Sequence, residues 1–207
     1  MNDLQEWLRE RWLLLLAGLL AVLLGGVWWR GRPVVQPAGI LVAEEPLQGE
    51  PEPTAPWAFK HHRITPLASF ELRARVLGTE RYRFDRAAEL SPVDLALGWG
   101  PMSDSRNLAA ISIQQRDRWY FWSASRMPLD PAGVTTHSAN MHMIPATGAI
   151  ASRLLAVRVG QLVELRGQLI RADGEDGWRW ASSLSRADTG DGSCEVVWVE
   201  SLRVTDR

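Results

Sequence analysis

Cysteine and lysine are nearly missing: Cys194 and Lys60 are the single examples of each in 207 residues. One thiol excludes an intramolecular disulfide and any zinc site built on several cysteines. It fits the cytoplasm, and equally an exported domain large enough to fold without staples. A charge excess of either sign is lacking too. From residue 60 onward nineteen basic residues face seventeen acidic ones, and the whole chain carries −1. A near-neutral body removes the main driving force for non-specific nucleic-acid binding, so nucleic acid is not expected as a partner. No known catalytic signature and no cofactor loop occurs, so no catalytic residue, metal or cofactor is assigned.

What the chain has in excess is tryptophan, eleven residues, seven of them from Trp57 onward. Indoles are costly to bury unless the N–H finds a partner, so they point to core packing, a binding surface or both. Near the N-terminus, residues 12–29 (WLLLLAGLLAVLLGGVWW) run for eighteen positions without a charge. As a helix this run is roughly 27 Å long, close to the ~30 Å hydrocarbon core. Its eight leucines favour insertion by on the order of 4 kcal/mol. Trp12, Trp28 and Trp29 mark the ends, with Arg9, Arg11, Arg30 and Arg32 flanking. Bulky Trp28-Trp29-Arg30 replaces the small residues a signal peptidase needs. The expectation is an uncleaved transmembrane helix over 12–29, its partner the lipid bilayer. Residues 1–11 form a tail left inside, and the body lies on the periplasmic side of a bacterial inner membrane. Ala17, Ala21 and Gly25 fall at four-residue spacing, a small-residue stripe that would permit a homodimer.

Between residues 30 and 59 six prolines alternate with Glu44, Glu45, Glu50 and Glu52. That composition reads as a semi-rigid stalk. The body, 60–207, is strand-rich. Ser69–Leu77 alternates, with Phe70, Leu72, Ala74 and Val76 on one face, and Arg81–Phe84 reads as its hairpin partner. Ser91-Pro92-Val93-Asp94 carries helix-start signals for a short helix ending at Gly98. Asn107–Gln115, with Ala109, Ile111 and Ile113 inward, and Arg118–Trp122 read as further strands. Thr135–Ile144 is extended, Gly148–Val157 helical, and 159–170 the clearest strand, with Gly167 offering a bulge. Trp178–Leu184 returns after a turn, and Cys194–Val204 is the last strand. The fold class is therefore a β-rich α+β domain, a small curled sheet or OB-like barrel with two short helices. The spacing V-x-x-G-x-x-V-x-L-x-G from Val157 to Gly167 resembles the second half of an OB-type barrel.

Three blocks, Gly98–Asp104 (GWGPMSD), His137–Ala146 (HSANMHMIPA) and Ser182–Glu195 (SSLSRADTGDGSCE), resemble those of an uncharacterised family of bacterial membrane-anchored or exported proteins. The resemblance runs from about Ser69 to the end. It implies a Gram-negative envelope setting and brings no activity, so no site residue is carried over from it.

The chemistry-bearing residues sit in those blocks. His137 and His142 are five apart, which puts them on opposite faces of a strand and about 140° apart on a helix. Only a loop would let both reach one metal, with Met141 and Met143 adding soft ligands suited to Cu(I). The favoured reading is a hydrogen-bonded polar loop packed on the body. His61 and His62 are expected to face solvent. Cys194 reads as a buried, inert thiol next to Glu195. Ser182, Ser183, Arg186, Asp188, Thr189 and Asp191 suit turn chemistry, with calcium on Asp188, Asp191 and Glu195 as the alternative. Asp94, Trp99, Ser103, Asp104, Trp119, Tyr120, Asn140 and Arg186 could line one pocket if the fold brought them together. The ligand-binding candidates are therefore His137, Asn140, His142, Trp99, Asp104, Arg186 and Asp188. The expected function is a membrane-anchored binding or assembly module with a protein partner in the envelope. The alternative is a tethered hydrolase or metal-dependent enzyme centred on His137, Asn140 and His142.

Overall fold

A computed structural model describes residues 2–185, 188, 190 and 192–206, with the side chains of the first helix described for 11–26. The chain divides into two units, residues 1–33 and 34–207.

The first unit is a helix, α1 (Asn2–Arg30). Here the membrane expectation is corrected: among the described residues no helix is long and apolar enough to cross a membrane. The single-pass inner-membrane assignment, with its bilayer contact through 12–29 and its periplasmic body, is withdrawn.

The second unit is a β-rich α+β body. Its strands are β1 (Leu47–Gly49), β2 (Trp57–Phe59), β3 (His62–Arg81), β4 (Val93–Gly98), β5 (Ser112–Arg116), β6 (Trp119–Ser123), β7 (Ser138–Pro145), β8 (Leu162–Gly174), β9 (Arg179–Ala181) and β10 (Glu195–Thr205). Its helices are α2 (Ser105–Leu108), α3 (Pro131–Thr136) and α4 (Gly148–Leu155). Eight strands form one mixed sheet, and β5 with β6 forms a separate hairpin. β3 is the common member. It pairs antiparallel with β8 along most of its length and with β4 through its C-terminal third. From β4 the pairing passes to β7, then in parallel to β10, then back to β8. The sheet is thereby curled on itself. β1, β2 and β9 hang outside that path on single partners, so free edges remain and the body is not a closed barrel.

Alternation explains why β3 and β8 form. Phe70, Leu72, Ala74 and Val76 from β3 and Val163, Leu165 and Leu169 from β8 are buried in one cluster with Met141, Met143 and Val197. Thr147 caps α4 through its side chain on the Ile150 N–H, and Ile150 and Leu154 cover the sheet. A second cluster gathers Ile64, Ile170, Val196 and Trp198, with Trp57, Phe59, Trp178 and Trp180 packed against it.

Three local expectations differ. The helix beginning at Ser91 is strand β4, buried at every position between β3 and β7. A run buried on both faces loses its period, and tertiary pairing overrides the start signals. Residues 78–81 continue β3 across a register shift between Val76 and Gly78 instead of turning back. Asn107 and Leu108 belong to α2, leaving Ala109 exposed and strand structure only from Ser112.

The stretch expected as a stalk belongs to the body from residue 34 onward. Val34 donates to the Val159 carbonyl, and the Gln36 amide donates to the carbonyls of Gly160 and Asp206. Val42 is buried in the main cluster, and Ser103 Oγ accepts from the Leu41 and Val42 N–H groups. Residues 34–59 are therefore a strap that ends in two edge strands.

Gly167 sits opposite the irregularity in β10 between Val199 and Ser201. A Cβ there would lie 1.8 Å from the Trp198 carbonyl oxygen, so backbone would have to move. Gly167→Ala is expected to destabilise the body by about 3 kcal/mol or more, the upper end of overpacking costs. Gly148→Ala, with nothing within 4 Å of the new Cβ, is the control expected to be neutral or stabilising. Urea unfolding of both variants measures the difference.

Candidate functional site

The outward face of β7 carries Ser138, Asn140 and His142, because side chains two apart share a face. The register sets His142 beside Asp94 of β4 and Asn140 beside Ala96. Asp94 has no exposed surface. Arg118 Nη1 lies 2.8 Å from Asp94 Oδ1, and His142 Nδ1 lies 2.9 Å from Oδ2. Asn140 Nδ2 and Ser91 Oγ approach the same carboxylate at 3.5 and 3.4 Å. Opposite charge and donors on several sides are what a buried carboxylate requires.

Arg118 reaches this point from a hairpin tip. Arg116 pairs with Trp119, so Asp117 and Arg118 are a two-residue turn, with φ of 52° and 69°. Such turns favour Asn-Gly, and each non-glycine residue in this conformation costs about 1–2 kcal/mol. The tip is held by its contacts. The other guanidinium nitrogen meets Asp85 at 2.8 Å, the guanidinium lies 3.7 Å from the Tyr82 ring centroid, and the Arg118 N–H donates to Tyr82 Oη. Gln115 donates to Asn140 Oδ1 at 2.7 Å, and Asn140 donates to the Arg118 carbonyl at 3.0 Å. Burial first, then the Asp94 charge, pushes the Tyr82 hydroxyl up to about 12. The His142 ring lies 4.7 Å from that of Trp180.

Beside this clamp the hairpin overhangs a cavity of about 170 Å³. Trp119, Tyr120 and Trp122 come from β6, Thr135 from α3, Ser138 and Asn140 from β7, Asp188 and Cys194 from the loop into β10 and Glu195 from the first position of β10; Trp99 lines it too. Glu195 is buried, and Tyr120 Oη lies 3.0 Å from Ser138 Oγ. Trp99 is 1% exposed, and its indole N–H has no hydrogen-bond partner. Burial, then the neighbouring Glu195 and Asp94 carboxylates, pushes the Cys194 thiol up to about 12. That excludes a resting thiolate nucleophile at neutral pH.

The sequence-expected residues divide accordingly. Trp99, Asn140 and Asp188 line the cavity, together with Trp119 and Tyr120. His142 serves the adjoining Asp94 cluster. His137 is elsewhere: its Nδ1 lies 2.8 Å from the Gly133 carbonyl oxygen, and its ring packs at Gly100. About 14 Å of strand separates Ser138 from His142, so His137 and His142 do not share a centre. Asp104 caps α2 and accepts from the Gly39 N–H, tying down the strap. Hydrogen bonds from Arg106 and from backbone N–H groups hold its carboxyl well below the usual range. Ser103 serves the same strap. Arg186, Thr189 and Asp191 lie outside the described residues. Among the described residues no group of three or more His, Cys, Asp and Glu side chains could hold a metal ion. Ser183 Oγ donates to Asp188 Oδ2 at 2.6 Å and accepts from the Ser185 N–H, as turn chemistry requires. Sequence reasoning missed Arg118, Gln115 and Trp122. The signal for Arg118 was the Asp-Arg pair between two alternating runs.

No family model, no curated protein and no solved structure matches the chain.

Removing Arg118 leaves a fully buried carboxylate short of its countercharge. Arg118→Ala is expected to cost about 3–5 kcal/mol, and adding Asp94→Asn to recover part of that, read by denaturant unfolding. Alkylation of Cys194 at pH 8 is expected to be about a thousand times slower than that of an ordinary thiol, timed by mass spectrometry in the folded protein.

Proposed function

We propose that residues 34–207 act as a binding module for a small molecule, and that the cavity under the β5–β6 hairpin is its site. The observation that carries this reading is the lining itself: Trp99, Trp119, Tyr120 and Trp122 around hydroxyl, amide and carboxylate groups. Concave, aromatic-walled sites with a few convergent polar groups are the common form of ligand pockets. The volume is below the ~300 Å³ of drug-sized sites, so the ligand is small. The pairing path β3–β4–β7–β10–β8, with β7 and β10 parallel and α4 between β7 and β8, further supports an OB-like, partly open arrangement. Binding to a protein partner in the bacterial envelope is the second part of the proposal and stands on the sequence blocks alone.

The site reading is tested by thermal shift of the full chain against a library of small polar molecules. A ligand at a hundred times its Kd adds about 2.7 kcal/mol of stability. Thr135→Trp, placed at the cavity wall on α3, is expected to abolish that shift while the protein still unfolds cooperatively. A library without hits, or hits that persist in Thr135→Trp, overturns the reading.

A further inference from the structure

We propose that the ligand of this cavity is a free peptide of about three small residues, bound extended as an added strand on the open edge of β6. This deepens the binding-site reading above and rests on it.

The register of the hairpin fixes which backbone groups are open. Positive φ at Asp117 and Arg118 makes the connection a two-residue turn, closed by the Arg116–Trp119 pair. In such a hairpin the closing pair exchanges both of its N–H···O bonds, and bonded and non-bonded pairs alternate from there. Arg116 with Trp119, Gln114 with Phe121 and Ser112 with Ser123 are therefore the bonded pairs. Tyr120 and Trp122 belong to the other set and turn their backbone N–H and C=O groups away from β5. β6 has no second strand partner, and among the described residues no hydrogen bond reaches those outward groups.

The cavity lies along that edge. Every hairpin residue that lines it, Trp119, Tyr120 and Trp122, belongs to β6 and none to β5. The row of outward groups is already answered at one end. The Arg118 carbonyl, next in that row, accepts from the Asn140 side-chain amide at 3.0 Å. Asn140 also lines the cavity, and it gives Arg118 the amide donor that an incoming strand would give. Beyond it the row is open at Tyr120 and Trp122 and stops where β6 ends at Ser123.

Spacing decides what fits. Tyr120 and Trp122 are two residues apart, about 7 Å along the strand, and each offers one donor and one acceptor. An extended peptide repeats its own donor and acceptor at the same interval, so the first and third residues of a tripeptide meet all four groups. A sugar or a single amide meets one pair at a time. In strand addition the main-chain bonds supply affinity, and neighbouring pockets choose the side chains. The space is about 170 Å³, so those side chains are small. With Asn140 at one end of the row and the end of β6 at the other, a longer peptide gains no further ladder bond.

The test is calorimetric titration of the full chain with trialanine, its two isomers N-methylated at the second or the third residue, and pentaalanine. Trialanine is expected to bind. The isomer methylated at the nitrogen that meets β6 is expected to bind about tenfold or more weakly, the scale of one buried hydrogen bond left unmade. Pentaalanine is expected to bind no tighter than trialanine. On the protein side, Trp122→Pro removes one outward N–H and keeps the bonds of β6 to β5, whereas Trp122→Ala loses the same ring and keeps the N–H. Trp122→Pro is expected to bind trialanine about tenfold or more weakly than Trp122→Ala. If both methylated isomers bind as tightly as trialanine, or Trp122→Pro binds as tightly as Trp122→Ala, strand addition is overturned. Where the proline variant does not fold, the methylated isomers decide. Pentaalanine binding about tenfold tighter than trialanine overturns the short-peptide assignment. Trialanine binding that survives Thr135→Trp lies elsewhere and overturns the proposal. If trialanine does not bind, the peptide class falls, and the library screen then decides whether the site reading falls with it.

Discussion

β3 is paired along both of its edges, and the rest of the body follows from that. A twenty-residue strand can serve two sets of neighbours, because its N-terminal part meets β1, β2 and β8 and its C-terminal part meets β4 and β8. The register shift between Val76 and Gly78 lets it bend between the two roles. Strand twist and such irregularities curl the sheet, so β7 and β10 come to lie between β4 and β8. Alternate side chains of β3, β4, β7, β8 and β10 then meet in the main cluster, while the opposite face of β4 and β7 is left to be covered by something else. The β5–β6 hairpin, Trp180 and the loop into β10 provide that cover. The site exists because the sheet is curled and one outer face needs a lid.

The polar character of that face follows from what lies beneath it. Asp94 occupies a strand position that would suit a hydrophobic residue, and it is tolerated there only because Arg118, His142, Asn140 and Ser91 converge on it. Buried ionic groups contribute little net stability and are best understood as fixing one arrangement over others. Here the arrangement fixed is the position of a hairpin that makes no ladder with the main sheet. A hairpin held only by apolar contact could slide, whereas one whose tip residue must meet a buried carboxylate has a single docking geometry.

How much of this was legible in the sequence depends on which residues set each feature. β3 and β8 were legible because alternation in FELRARV and LVELRGQL is a local signal, and β9 because the DGEDG turn precedes it, while the hairpin expected after β3 was not formed. β4 was not, since VDLALG is buried on both faces and shows no period, while Ser91 and Pro92 imitate a helix start. The strap was hidden by its prolines and glutamates, because Gln36 finds its partners at Gly160 and Asp206, more than a hundred positions away. At the site, the five-residue spacing argued against one metal shared by His137 and His142 outside a loop, whereas the placing of Asn140 and His142 on one face of β7 beside Ala96 and Asp94 came only from the strand pairing. Arg118 escaped notice because a two-residue hairpin turn is expected to carry Asn-Gly, and Asp117-Arg118 breaks that rule.

That broken rule connects the fold to the cavity. Two non-glycine residues with positive φ are retained only where surrounding contacts over-determine them. The contacts are the Asp94 and Asp85 carboxylates, the Tyr82 ring and hydroxyl, and Asn140. All of them grip the tip. Trp119, Tyr120 and Trp122 extend from it along β6 and form a wall of the cavity. A wall fixed at one end is positioned before any ligand arrives, which lowers the ordering cost of binding. The strain at Asp117 and Arg118 is thus best understood as part of what keeps the cavity shaped, and the buried carboxylate that offsets it lies one side chain, Asn140, away from the space it shapes.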